Sequence, residues 1–102
     1  MTDRAVKERD ITQGVDEEIV YTLTTTPWGS SPTDVSVKAY DVENSHEDVT
    51  STVLSGSSSI TGDVITLPTL KSLVANKTYR IEVKFTSGGN VFEPWFEVRG
   101  ER

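Results

Sequence analysis

Between positions 79 and 85 the chain reads Tyr-Arg-Ile-Glu-Val-Lys-Phe: Tyr79, Ile81, Val83 and Phe85 are apolar, and Arg80, Glu82 and Lys84 lie between them. Successive side chains of a strand point to opposite faces, so a period of two marks a β-strand with one face on a core and the other in water. The same alternation sets Ile19, Tyr21 and Leu23 against Val20, Thr22 and Thr24. It recurs with Val35, Val37 and Ala39 against Ser36, Lys38 and Tyr40.

Turn chemistry separates these runs. Residues 26–34 are dense in Pro, Gly and Ser and read as a loop, and residues 41–48 as a polar connection. Residues 49–55 are β-branched and short. Residues 60–67 frame the pair Gly62-Asp63, whose glycine suits the first central position of a type II′ hairpin turn. Pro68 is expected to stop the pairing, and residues 69–77 to hold one helical turn with Leu70 and Leu73 inward. Ser87-Gly88-Gly89-Asn90 is a second hairpin signal, returning the chain as a last strand over residues 91–98. About seven short strands at this spacing predict an all-β antiparallel sandwich over residues 15–102. Residues 1–14, polar and sparsely apolar, read as an extended N-terminal arm that includes a short edge strand at most.

At 102 residues the chain is one domain, large enough for a single self-sufficient core. No apolar run approaches the roughly 20 residues that span a bilayer. The start, MTDRAVKERD, has no apolar h-region, so no classical secretory signal is expected. Zero cysteines removes disulfides, thiolate metal sites and cysteine nucleophiles. A net charge of −6 argues against a nucleic-acid or anionic-membrane surface, which needs clustered Lys and Arg, and suits a basic partner.

Tyr79 carries a further signal. In immunoglobulin-like and fibronectin type III-like sandwiches a tyrosine at the start of strand F bonds back to the backbone a few residues upstream and pins the E–F crossover. The stretch LKSLVANKTYRIEVKF resembles that corner, with Leu73 in the loop and Thr78-Tyr79 opening the strand. The other reading is an ordinary core tyrosine.

Taken together, VYTLTTTPWG, the central DVTSTVLSGSSSITGDVITL and NKTYRIEVKFTSGGNVFEPWFEV resemble small tailed-phage and prophage virion proteins. The matching positions are Val20-Tyr21-Thr22, Trp28, residues 64–67 and residues 78–83. The resemblance implies an immunoglobulin-like sandwich in the virion. It would be a head decoration or stabilisation protein, or a neck or fibre attachment protein, that binds capsid or neck and portal proteins and forms homo-oligomers in the particle.

The residues offer no catalytic constellation. His46 is the only histidine and sits among Glu43, Glu47 and Asp48, too few ligands for catalytic zinc. Asp41, Glu43, Glu47 and Asp48 lack the regular Asp-x-Asp-x-Asp-Gly spacing of a calcium loop, and read as a solvated acidic loop. There is no Gly-x-Ser-x-Gly motif, and Ser87-Gly88-Gly89-Asn90 has neither the lysine nor the helix of a phosphate loop. No cofactor and no metal are expected.

Recognition remains. Alternation in the last strand turns Phe92, Phe96 and Val98 inward and Val91, Glu93, Trp95 and Glu97 outward, and an exposed tryptophan is a common interface anchor. Trp28, Val91, Glu93, Trp95 and Glu97 are the candidate interface. Two alternatives stand beside it: Trp95 packs under the N-terminal arm, or a bulge at Pro94 flips the register. The rival function is an extracellular adhesion or carbohydrate-binding module, on which Trp28 and Trp95 would stack against sugars.

Overall fold

The computed structural model describes residues 11–26 and 29–102. Among them the chain forms β1 (Ile11–Gly14), β2 (Ile19–Thr24), β3 (Thr33–Asp41), β4 (Glu47–Asp48), α1 (Thr50–Val53), β5 (Leu54–Ser55), β6 (Ser59–Thr61), β7 (Val64–Leu70), β8 (Thr78–Ser87), β9 (Asn90–Phe92) and β10 (Trp95–Glu101). One sheet runs β1-β10-β8-β3-β4, with β9 also on β8. The other runs β2-β7-β5, with β6 also on β7. All pairs are antiparallel except β1 with β10, which is parallel. This is an all-β, immunoglobulin-like sandwich, in which β2, β3, β7, β8 and β10 hold the places of strands B, C, E, F and G.

The core lies between the sheets. Tyr79, Ile81, Val83 and Phe85 of β8 are all buried and meet Leu23, Ile65 and Leu67 of the smaller sheet. Tyr21 packs on Phe96 with ring centroids 5.8 Å apart, and Phe85 on Phe92 at 5.6 Å. Both hairpins form where the glycines require them. Gly62 takes φ +58° between Thr61 and Val64, and Gly88 and Gly89 take +56° and +83° between Ser87 and Asn90. In the second turn, positive φ at both central residues is the type I′ pattern, whose twist matches that of the flanking strands.

Three local expectations are corrected. Pro68 does not end the pairing: β7 continues to Leu70, and the register of β2 against β7 shifts between Val20 and Thr22, so the proline sits in a bulge. Residues 71–77 contain no helix, although Leu70 and Leu73 are both buried. Residues 49–55 are not a continuous strand. The carboxylate of Asp48 accepts from the N–H (3.0 Å) and hydroxyl (2.7 Å) of Thr50, which starts the single turn α1 before β5.

Of the segment read as an arm, residues 1–10 lie outside the described residues, and Ile11–Gly14 form an edge strand of the larger sheet. Gln13 in that strand is fully buried. Its Nε2 donates to the carbonyls of Leu70 (2.8 Å) and Glu17 (3.0 Å), and its Oε1 accepts from the Tyr21 hydroxyl (2.9 Å). One amide thereby ties β1 of the larger sheet to β2 and β7 of the smaller. A buried amide is tolerated because its polar atoms are satisfied.

Candidate functional site

The outer face of the larger sheet is built by the even-numbered residues of β3 and β8 and the odd-numbered residues of β9 and β10. The register sets Lys38 beside Glu82 and Glu82 beside Trp95, then Tyr40 beside Arg80 and Arg80 beside Glu97. Phe85 pairs with Phe92 and Glu82 with Trp95, so the register is unbroken across Pro94 and sets Glu93 opposite Lys84. The Val83 N–H still reaches the Pro94 carbonyl at 2.9 Å, so the proline interrupts the ladder without slipping it. Ser36, Lys38, Tyr40, Glu82, Lys84 and Glu93 line a shallow groove on this face.

The candidate residues of the last strand fall as the alternation predicts. Val91, Glu93 and Glu97 are exposed, and Phe92, Pro94, Phe96 and Val98 turn inward. Trp95 faces out but is not bare. It is partly buried, because the guanidinium of Arg80 lies over its ring, 4.1 Å from the centroid. Arg80 is itself held by Glu82, with Nε 2.9 Å from Oε2. The result is a ladder of aromatic ring, cation and carboxylate, in which the cation–π contact fixes the indole against the sheet. Sequence reasoning missed Arg80 as the partner of Trp95. The signal exists only in the pairing of β8 with β10, and alternation treats each strand alone. Trp28, the remaining candidate, lies outside the described residues together with Pro27.

The flanks of that position are well anchored. The Gly29 N–H donates to the Thr25 carbonyl at 2.8 Å, and the Ser31 N–H to the Asp63 carboxylate at 3.1 Å. The buried Ser87 hydroxyl donates to the Ser30 carbonyl at 2.6 Å. A Cβ on Gly29 would come within 2.9 Å of Ser87 Cβ, so only glycine lets the loop lie this close to the end of β8. Residues 29–31, the Gly62-Asp63 turn and the end of β8 thus gather at one end of the sandwich.

The acidic loop does not converge on an ion. Asp41, expected in solvent, is buried and pairs with Lys77 Nζ at 3.0 Å. Its other oxygen accepts from the Glu43 N–H, and the Glu43 carboxylate accepts from the Thr78 N–H, both at 3.1 Å. Glu47 accepts from Asn44 Nδ2 at 3.0 Å. The bonds from Thr50 hold the Asp48 carboxyl below its usual pKa. Among the described residues no group of three or more His, Asp or Glu side chains is placed to hold a metal ion. Asp41 and Glu43 instead secure the entry to β8, through Lys77 and Thr78.

Comparison of the chain with known protein families, curated proteins and solved structures returned no match.

Proposed function

We propose that this chain is a non-enzymatic structural protein of a tailed-phage or prophage particle. It decorates or stabilises the head, or attaches at the neck, through binding of many copies to capsid or neck and portal proteins. The observation that carries the reading is the placement of Trp95. A large aromatic sits near the middle of an open sheet face, braced by Arg80 and framed along its strand by Glu93 and Glu97. Rigid aromatic anchors with a charged rim are the common makeup of a protein-binding surface. The carboxylate rim favours a basic partner. On a symmetric lattice a modest contact of this kind becomes stable association through effective concentration. The sequence resemblance supplies the particle as the setting.

The test is to purify particles from cells that carry the gene and quantify the chain in them. The reading predicts co-sedimentation at a fixed copy number that survives washing in moderate salt. A chain found only in the unassembled supernatant would overturn it.

A further inference from the structure

The outward side of the smaller sheet carries a patch without charge. Leu23, Ile65 and Leu70 are buried, so their neighbours along each strand face out. The register sets Val20 beside Thr69, Thr22 beside Thr66 and Thr24 beside Val64. The outward positions of β5 and β6 that pair with these β7 residues are all serine or threonine. Val20 is 53% exposed, and Thr22 and Thr24 are exposed. Charges resume past the ends of the patch, with Glu18 and Lys71 beyond one and Asp63 in the turn at the other. Strand propensity favours threonine and valine on both outer faces of the sandwich. The outer face of the larger sheet nevertheless mixes Lys38, Arg80 and Lys84 with Glu82, Glu93 and Glu97. Propensity alone therefore does not explain a patch with no charge.

We infer that a second copy of this chain packs on this patch, face to face about a two-fold axis near Thr66, its central position. The patch lies on the opposite side of the sandwich from Trp95, so the inference goes beyond the reading above. Charge selects a copy over another partner. At a net −6 two copies repel, and here they meet with no carboxylate between them. A strongly basic or acidic partner finds no opposite charge on the patch. Hydroxyl chemistry points the same way. A hydroxyl both donates and accepts, so a patch that meets its own kind can satisfy each group, which facing lysines or facing glutamates cannot. Threonine and valine are short and stiff at χ1, so holding them in a contact costs little ordering entropy. Absence of charge is also the compositional mark of an interface centre. Three strands about 4.8 Å apart, with outward residues about 6.8 Å apart along each, give a contact on the order of 300 to 500 Å² per copy. A stable complex buries about 800 Å² per partner, so this dimer is weak. An isologous contact of this kind closes at two copies.

Sedimentation equilibrium of the purified full chain, without particles and up to millimolar concentration, provides the test. The parent should show a reversible monomer–dimer equilibrium that tightens with salt, because screening relieves the net repulsion and the contact holds no ion pair to weaken. Thr22→Lys should weaken the dimer about tenfold or more while melting close to the parent, since each copy would bury an unpaired ammonium. Thr24→Lys, at a second exposed position, should act in the same direction. Both substitutions make the net charge less negative, so an association governed by overall charge would strengthen instead and overturn the inference. Trp95→Ala should dimerise as the parent does, and a dimer lost in that variant would place the contact on the other face. A chain that remains monomeric at millimolar concentration, or a dimer indifferent to Thr22→Lys in a folded variant, would also overturn the inference. Failure of particle binding with the dimer intact would count against the virion reading alone.

Discussion

The hydroxyl of Tyr79 accepts a hydrogen bond from the backbone N–H of Val74 at 2.9 Å, reaching back across the loop that links the two sheets. The loop is pinned from the other side as well. Leu73 is buried in the core, the Asn76 N–H donates to the Gly100 carbonyl at 3.0 Å, and the Gly100 N–H donates to the Lys77 carbonyl at 2.9 Å. A tyrosine at the first inward position of β8 is therefore a clamp as well as a core residue.

Removing the clamp has a defined cost. Tyr79→Phe keeps the ring and leaves the Val74 N–H without this partner, so chemical denaturation should show a loss on the order of 1 to 2 kcal/mol. An unchanged midpoint would reduce Tyr79 to ordinary core. Gly100→Ala should destabilise by about 1 to 3 kcal/mol, because its Cβ would press on the Val74 carbonyl, a backbone group that cannot rotate away.

Gln13 is the buried bridge between the sheets. Gln13→Ala leaves the Leu70 carbonyl and the Tyr21 hydroxyl without their partner, and should cost on the order of 2 to 3 kcal/mol in an equilibrium unfolding curve. A loss under about half a kcal/mol, the size of a surface substitution, would mean that β1 contributes little to the fold.

Alkaline pH should weaken the fold. Burial, then the nearby Glu17 carboxylate, raise the pKa of Tyr21 above its ordinary 10.0, and the Asp41 carboxylate raises that of Lys77 above 10.5. In both cases the folded state holds its proton more tightly than the unfolded chain. Their contribution to stability is therefore complete below these ordinary values and lost as pH rises through the folded ones. Melting temperature should stay level on the approach to about pH 10 and fall above it, with a shallower fall in Tyr21→Phe relative to its own neutral-pH value. A melting temperature that rises in that alkaline range would contradict the direction of both shifts.

Stability should be indifferent to calcium, because Asp41, Glu43, Glu47 and Asp48 are each committed to a separate internal bond. A site filled at a hundred times its Kd would add about 2.7 kcal/mol. A rise of several degrees in millimolar calcium, reversed by chelator, would show that the loop rearranges around an ion.

What was legible in the sequence was local. The alternation of residues 79–85 and the turn pairs 62–63 and 88–89 each determine their own conformation within a few residues. The Tyr79 corner was readable because its partner lies only five residues away. What was not legible depends on pairing at a distance. Gln13 looks like a surface residue until β1 lies along β10, and Asp41 looks solvated until the turn before β8 brings Lys77 to it. Pro68 reads as a stop unless a bulge absorbs it. Trp95 was placed on the correct face, but its cation comes from the neighbouring strand, and strand order is not written in any one segment.

Binding through the Trp95 face is tested most directly by measuring the affinity of Trp95→Ala and of the parent for particles stripped of this protein, alongside their melting curves. The indole is only partly buried, and its loss leaves the core residues Phe96 and Val98 untouched, so the variant should fold and melt close to the parent. Its binding should weaken by about 2 kcal/mol or more, roughly thirtyfold. A folded Trp95→Ala variant that binds as tightly as the parent would contradict the assignment of this face as the binding surface.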